Sequence, residues 1–254
     1  LANNDQYNFT SWNDCITIRI GKNIEYIGTE TDNEGILNGG TLGDNFLSSI
    51  SKVSTIIVDE ENKVYSSKDG VLYNKDFTVL IRYPTNKVDS TESFSVVIPD
   101  TVTSIYNRAF YYNNKITKLV LGKNVEHIGN LAFADCKKLK SIELPASLEK
   151  IESNSDFYFE NVSKDFKFVL DSKNSFFSVS TDGKMLTSKD GKTLYAWIGA
   201  SGDITVPDGL TAIGNNFFSN NKNITSVIIP DSVESVSDNA FVNCTNLTSV
   251  VFPK

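Results

Sequence analysis

Short apolar runs recur along this chain at a spacing of 23 residues, and that period restricts the fold more than any other feature. The step is 23 from Ile98 to Leu121, from Leu121 to Leu144, from Val206 to Ile229 and from Ile229 to Phe252. Five of the six prolines close such runs: Pro99, Pro145, Pro207, Pro230 and Pro253. Other landmarks keep step. Ile105, Ile128, Ile151, Ile213 and Val236 each follow a run by seven residues, and the pairs Ala109-Phe110 and Ala132-Phe133 lie 23 apart, as do Phe218 and Phe241. Each unit closes on an aliphatic, Ile116 and Leu139 or Ile224 and Leu247. Whole strings also repeat: IGKNIEYIG at 20–28 returns as LGKNVEHIG at 121–129, and IPDTVTSI at 98–105 as IPDSVESV at 229–236. ITIRIG (16–21), STIIVD (54–59) and KFVLD (167–171) complete nine rungs by phase, and WNDC at 12–15 matches FADC at 133–136 and FVNC at 241–244, which implies a partial first coil over 1–15.

A run such as Val227-Ile228-Ile229 sends alternate side chains to opposite faces of a strand, and one coil alone cannot hide its inner face. Stacking buries that face between neighbours and pairs the strand backbones in parallel, so the period predicts a solenoid. Proline just past the strand is tolerated because the ladder ends there. The second run (TSI, EHI) predicts another stacked extended segment. The Ala-Phe unit predicts a short helical turn, with Ala permitting close approach and Phe filling the core. Nine rungs at ~4.8 Å give one sheet roughly 40 Å long.

Composition narrows the function classes. Lys and Arg number 24 against 31 Asp and Glu, a net charge of −7, so the chain lacks the cationic excess that phosphate contacts require and nucleic acid is not expected as a partner. Hydrophobic residues make up 40%, enough for a packed core, and no run approaches the roughly 20 apolar residues of a membrane span. The first residue is Leu1, so a leader or anchor is expected to lie outside this sequence. Cys15, Cys136 and Cys244 are odd in number and unpaired in spacing, unlike a disulfide framework or a zinc site.

The unit IPDSVESVSDNAFVNCTNLTSVVFP at 229–253 resembles the BspA-like leucine-rich repeat, and the resemblance runs from about residue 12 to 254. It implies a mostly β repeat protein of the α/β type: a right-handed leucine-rich-repeat solenoid with parallel stacked strands, short helical turns and two inserted β-hairpins. It also implies a bacterial secreted or cell-surface protein that acts as an adhesin or binding scaffold rather than an enzyme. The expected organisation is a single solenoid over 1–254 with a loop insertion at 29–45 and hairpin insertions at 59–84 and 171–197. The spacings Ile20 to Val58 (38), Val58 to Ile98 (40) and Leu170 to Val206 (36) locate these insertions. The last two share Asp59/Asp171, Asn62/Asn174, Tyr65/Phe177, Asp69-Gly70/Asp182-Gly183 and Lys75-Asp76/Lys189-Asp190, and their short apolar runs between Asp-Gly and Lys-Asp turns read as hairpins.

Catalytic chemistry finds little footing. The single histidine, His127, shares its phase with Tyr26, Ser104 and Lys150, and reads as a surface side chain. Cys136 and Cys244 share a phase with Asn113 and Asn221, a slot suited to a small buried side chain facing loop amides; Cys15 is read likewise. Thr29–Gly35 and Asp59–Asn62 gather oxygen ligands without EF-hand spacing, and read as solvated acidic loops rather than a metal site. Gly28, Gly129 and Gly214 read as turn residues after an apolar anchor, and no nucleotide-binding glycine pattern occurs. No cofactor is expected.

The surface remains. In register, the outward middle residues of the nine strands are Arg19, Ile57, Val97, Val120, Glu143, Val169, Thr205, Ile228 and Val251, six of them Ile or Val. Such a stripe is either β-propensity on an open sheet or a recognition surface. Thr17, Thr55, Ser95, Lys118, Ser141, Lys167, Asp203, Ser226 and Ser249 would flank it as a polar rim. The aromatic residues of the insertions, Tyr73 and Trp197 foremost, either pack on the solenoid or protrude as contacts. The expected function is non-catalytic recognition of a protein or glycan outside the cell; the alternative is a structural spacer that displays another domain.

Overall fold

The computed structural model describes residues 16–25, 27, 52–87, 94–152, 162–214 and 217–252. Twenty strands, β1 to β20 in chain order, carry the architecture, and no helix occurs among the described residues. All nine expected rungs are strands: β1 (Thr17–Ile20), β2 (Thr55–Val58), β6 (Ser95–Val97), β8 (Lys118–Val120), β10 (Ser141–Leu144), β12 (Lys167–Leu170), β16 (Gly202–Thr205), β18 (Ile224–Ile228) and β20 (Ser249–Val251). They pair in parallel, and residues 23 apart are partners: Val96 with Leu119, Leu119 with Ile142, and Val227 with Val250. The expected single sheet is corrected, because this column forms three sheets, β1-β2, β6-β8-β10-β12 and β16-β18-β20, with a break at each later insertion.

A second column stacks beside it: β7 (Ser104–Ile105), β9 (His127–Ile128), β11 (Lys150–Ile151), then β17 (Ala212–Ile213) and β19 (Ser235–Val236). Ile105, Ile128 and Ile151 are partners in this column and all are buried, as the inward-pointing member of each two-residue strand must be.

The expected hairpins are corrected to three-stranded antiparallel meanders. The first comprises β3 (Tyr65–Lys68), β4 (Val71–Asn74) and β5 (Val79–Arg82), and the second β13 (Phe177–Val179), β14 (Met185–Ser188) and β15 (Leu194–Trp197). The first does not hang off the coil. Its last strand pairs in parallel with β7, Leu80 opposite Ile105, so the sheet runs β11-β9-β7-β5-β4-β3. A single parallel bridge, Thr193 to Ala212, makes the corresponding link for the second.

The Ala-Phe units are also corrected: they are paired β-turns rather than helical turns. Alternate N–H groups close turns inside a coil, as Ala109 to Tyr106 and Tyr111 to Arg108. The intervening ones reach the next coil, as Arg108 to Asn130, Phe110 to Ala132 and Tyr112 to Ala134. This geometry needs left-handed backbone at non-glycine positions, and Arg108, Leu131, Tyr112, Asp135, Asn220 and Asn243 have φ between 52° and 63°. Between the columns the phenylalanines pile up, Phe110 on Phe133 at 5.6 Å and Phe218 on Phe241 at 5.3 Å between ring centroids.

Glycine at 129 is not a left-handed turn residue. A Cβ there would lie 2.5 Å from Asn107 Oδ1, and one on Gly122 2.5 Å from the Pro99 carbonyl, so both positions serve close approach between coils. Residues 1–15, Tyr26, Gly28 and the loop at 29–45, with Thr29–Gly35, lie outside the described residues.

Candidate functional site

Alternation along each first-column strand turns every second residue away from the core, a rim residue and a stripe residue in each, and all nine stripe positions are at least partly exposed. Strand pairing aligns Arg19 with Ile57; Val97 with Val120, Glu143 and Val169; and Thr205 with Ile228 and Val251. The stripe is therefore three patches. Of its apolar members Val97 is the most open at 69%, with Val251, Val169 and Ile228 close to half exposed. Its polar rim is in register beside it. Lys118 of the rim pairs with Glu143 of the stripe, and Asp203 accepts hydroxyl hydrogen bonds from Ser226 at 2.6 Å and Thr225 at 2.8 Å. Those two hydroxyls, Ser226 first, hold the Asp203 carboxyl below its ordinary range.

The insertions carry identical fastenings at their shared residues. Asn62 donates to the carbonyls of Gly21 (2.9 Å) and Ile24 (2.8 Å) and accepts from the N–H groups of Val64 and Tyr65. Asn174 donates to Pro145 (3.0 Å) and Leu148 (2.8 Å) and accepts from Phe176 and Phe177. Each Asp-Gly turn then folds over the strand before it. Gly70 accepts the Ile56 N–H and Gly183 the Phe168 N–H, both at 2.9 Å, so the strand edge that would meet the next rung is taken. Both glycines have positive φ, 78° and 75°.

The meander rings pack rather than protrude. Tyr65, Phe177 and Tyr83 are buried, and Tyr73, only 5% exposed, meets Phe77 at 5.4 Å. Trp197 is half-buried and meets Phe218 edge-on at 6.1 Å, as Tyr83 stacks on Phe110 at 5.1 Å, so each meander ends on the ring that heads a phenylalanine column. One feature brings a stripe residue and an insertion residue together. Val97 and Tyr73 both line a cleft of about 280 Å³ between the first meander and β6, with Lys68, Asp69, Lys87 and Ser95 at its polar positions. Burial, aided by the Asp69 carboxylate, pushes the Tyr73 phenol up to about 12.

The sequence reading missed Lys68 and Lys87, which carry no repeat phase, and it missed Arg82. That arginine is buried and donates from two nitrogens to the carbonyls of Arg108 and Tyr111, tying β5 to the turn ladder. Its signal was a lone charge inside the apolar run VLIRYP.

Residues weighed for chemistry fall into structural places. His127 is exposed on β9 between Ser104 and Lys150. Cys136 is buried, and its thiol donates to the Phe110 carbonyl at 3.2 Å; Cys244 does the same to Phe218 at 2.9 Å. Burial pushes the Cys136 thiol up to about 12, far from a reactive thiolate, and raises that of Cys244. Asp59 caps its own turn by accepting the Glu61 N–H, and Glu61 pairs with Lys22 at 3.0 Å. Among the described residues no group of three His, Cys, Asp or Glu side chains converges as a metal site, and no helix is long and apolar enough to cross a membrane.

Parallel columns, a 23-residue rise and corner turns stacked coil on coil define a leucine-rich-repeat solenoid. The family model described as "BspA type Leucine rich repeat region (6 copies)" matches residues 87–180 and 192–254, more than half of the chain, and the protein belongs to that family. No curated protein is similar to it in sequence. The fold is shared with a leucine-rich repeat protein from Eubacterium ventriosum: 22% identity, TM-score 0.51, covering 93% of this chain and 48% of the other. The pneumococcal vaccine antigen PcpA gives 21% identity and TM-score 0.46 over 94% of this chain and 56% of its own. A leucine-rich cell surface protein from Faecalibacterium prausnitzii gives 18% and 0.35 over 75% of this chain and 68% of its own. The chain thus spans about half the length of the first two.

Proposed function

We propose that this protein is a non-catalytic binding scaffold, secreted or held at the cell surface, that recognises a protein or glycan through the outward face of its first strand column and the adjoining meander. The observation that carries this reading is the stripe itself. Val97, Val169, Ile228 and Val251 stand open to solvent at matched positions of stacked strands, flanked by a hydroxyl-rich and charged rim. A monomeric surface leaves such aligned apolar side chains open mostly where they meet something. Membership of the BspA-type family supports the same reading, as does the naming of one structural neighbour as a cell surface protein and another as a vaccine antigen.

The test is a screen of the soluble chain against a glycan array and an extracellular protein array, repeated with Ile228→Lys. Surface substitutions away from special contacts change stability by at most about 0.5 kcal/mol, so the variant should fold as the parent does while losing its array signal. Binding unaffected by Ile228→Lys and by Val169→Lys removes the stripe from the reading. Absence of any partner favours the spacer role.

A further inference from the structure

We propose that the open edge of β6 and the cleft beside it form a slot that takes an extended peptide of a protein partner by strand addition. This rests on the reading of the chain as a binding scaffold and narrows it to one edge and one ligand chemistry. Among the described residues, the backbone of β6 is paired on one side only. Phe94 accepts the Thr117 N–H at 2.8 Å and Ile98 donates to the Val120 carbonyl at 2.9 Å, which places the even-numbered residues of the strand on β8. Alternation sends the N–H and C=O groups of Ser95 and Val97 to the opposite edge, and β6 is the terminal strand of its sheet there. The rung that precedes it, β2, does not fill the place. Its own free edge is turned to the first meander, where Gly70 accepts the Ile56 N–H and the Ser67 hydroxyl the Val58 N–H.

A row of backbone donors and acceptors two residues apart is matched by another backbone, which is the basis of recognition by strand addition. The cleft of about 280 Å³ lies against this edge, lined by Ser95, Val96 and Val97 together with Val71 and Leu80 of the meander. It has room for one large apolar side chain of the added strand. Among the described residues its lining holds two ammonium side chains, Lys68 and Lys87, and one carboxylate, Asp69, on a chain of net charge −7. An acidic residue beside the apolar anchor fits that balance. Sugar fits less well, because Tyr73 and Tyr83, the two rings in the lining, are both buried and offer no exposed stacking face.

The probe is a fluorescein-labelled synthetic peptide, Ser-Thr-Ile-Ile-Val-Asp-Glu, the sequence of residues 54–60, which has the apolar alternation of a first-column strand and an acidic end. Titration with the whole chain, followed by anisotropy, should show saturable binding. Backbone N-methylation of alternate peptide residues should weaken binding about tenfold or more for one alternating set and under about twofold for the other, because only one set faces β6. Val97→Pro removes the outward N–H but none of the bonds to β8, a substitution an edge strand tolerates. It should weaken binding about tenfold with unchanged circular dichroism, while Val97→Thr stays within about twofold. Absence of saturable binding, equal weakening by both methylated sets, or full affinity of a folded Val97→Pro would overturn the proposal. Should array binding persist and be lost in Ile228→Lys while the peptide fails, strand addition falls and the scaffold reading stands.

Discussion

The backbone N–H of Phe110 donates to the carbonyl of Ala132 at 2.8 Å, one coil further along the chain. A helical turn would have used that N–H inside its own coil and left its neighbour unpaired. The coil instead divides its corner, half of the N–H groups closing turns and half reaching across, and the cost is left-handed backbone at residues other than glycine. Asn220 and Asn243 hold this conformation 23 residues apart with φ of 61° and 57°. Asparagine enters it more easily than most residues do.

Asn243→Ala should therefore destabilise the protein by about 1 kcal/mol, or roughly 2–4 °C in Tm, whereas Asn243→Gly should stay within about 1 °C of the parent. Thermal unfolding followed by circular dichroism measures both. Equal behaviour of the two variants would deny the left-handed requirement.

Asn174 satisfies carbonyls of Pro145 and Leu148 and amides of Phe176 and Phe177 with one buried side chain. Alanine leaves these groups without partners, at about 1–3 kcal/mol for each that stays buried, so Asn174→Ala should lose at least about 4 kcal/mol in urea unfolding. Asn62→Ala should behave alike, since its bonds are the same. A loss below about 1 kcal/mol would mean that the meander does not depend on this clasp.

Alkali should unfold the protein partly through Cys136. Folding raises its thiol from an ordinary 9.0 to about 12, so at pH below 9 both states hold the proton and stability is complete. Above pH 9 the unfolded chain ionises first, and stability falls by up to ~1.4 kcal/mol per pH unit until the folded thiol titrates near 12. Tyr73, raised from 10.0 to about 12, adds a second loss above pH 10. Between pH 7 and 10.5 the parent should lose about 2 kcal/mol more than Cys136→Ser. Parallel pH profiles would contradict this.

Trp197 closes the second meander against Phe218 at 6.1 Å. Trp197→Ala should cost about 2 kcal/mol by urea unfolding, less than a fully buried tryptophan because one side of the ring is open. Partner binding lost at unchanged stability would make Trp197 a contact residue.

Most of the solenoid was legible because it depends on local alternation repeated at a constant interval. Val96, Leu119 and Ile142 are partners since 23 residues make one circuit, and the Asn/Cys slot was readable for the same reason. The candidate site was legible in halves. Phase identified Val97 as outward and composition singled out Tyr73, but nothing in either signal set them around one cleft with Lys68 and Lys87. The helical turn failed because Ala-Phe at a corner satisfies helix and stacked turns equally. The choice between them lay in the acceptor that the next coil presents.

By itself the sequence determined the repeat length, the residues that become neighbours across coils and the side of each strand that meets water, all of which follow from the alternation of apolar side chains around a fixed circuit. Only the tertiary structure decided that β5 leaves the first meander to join the second column, that Gly70 and Gly183 occupy strand edges, and that among the described residues nothing pairs with one edge of β6. Those outcomes depend on which backbone groups remain unsatisfied once the coils have stacked, and a strand's own side-chain pattern does not record what lies beside its edge.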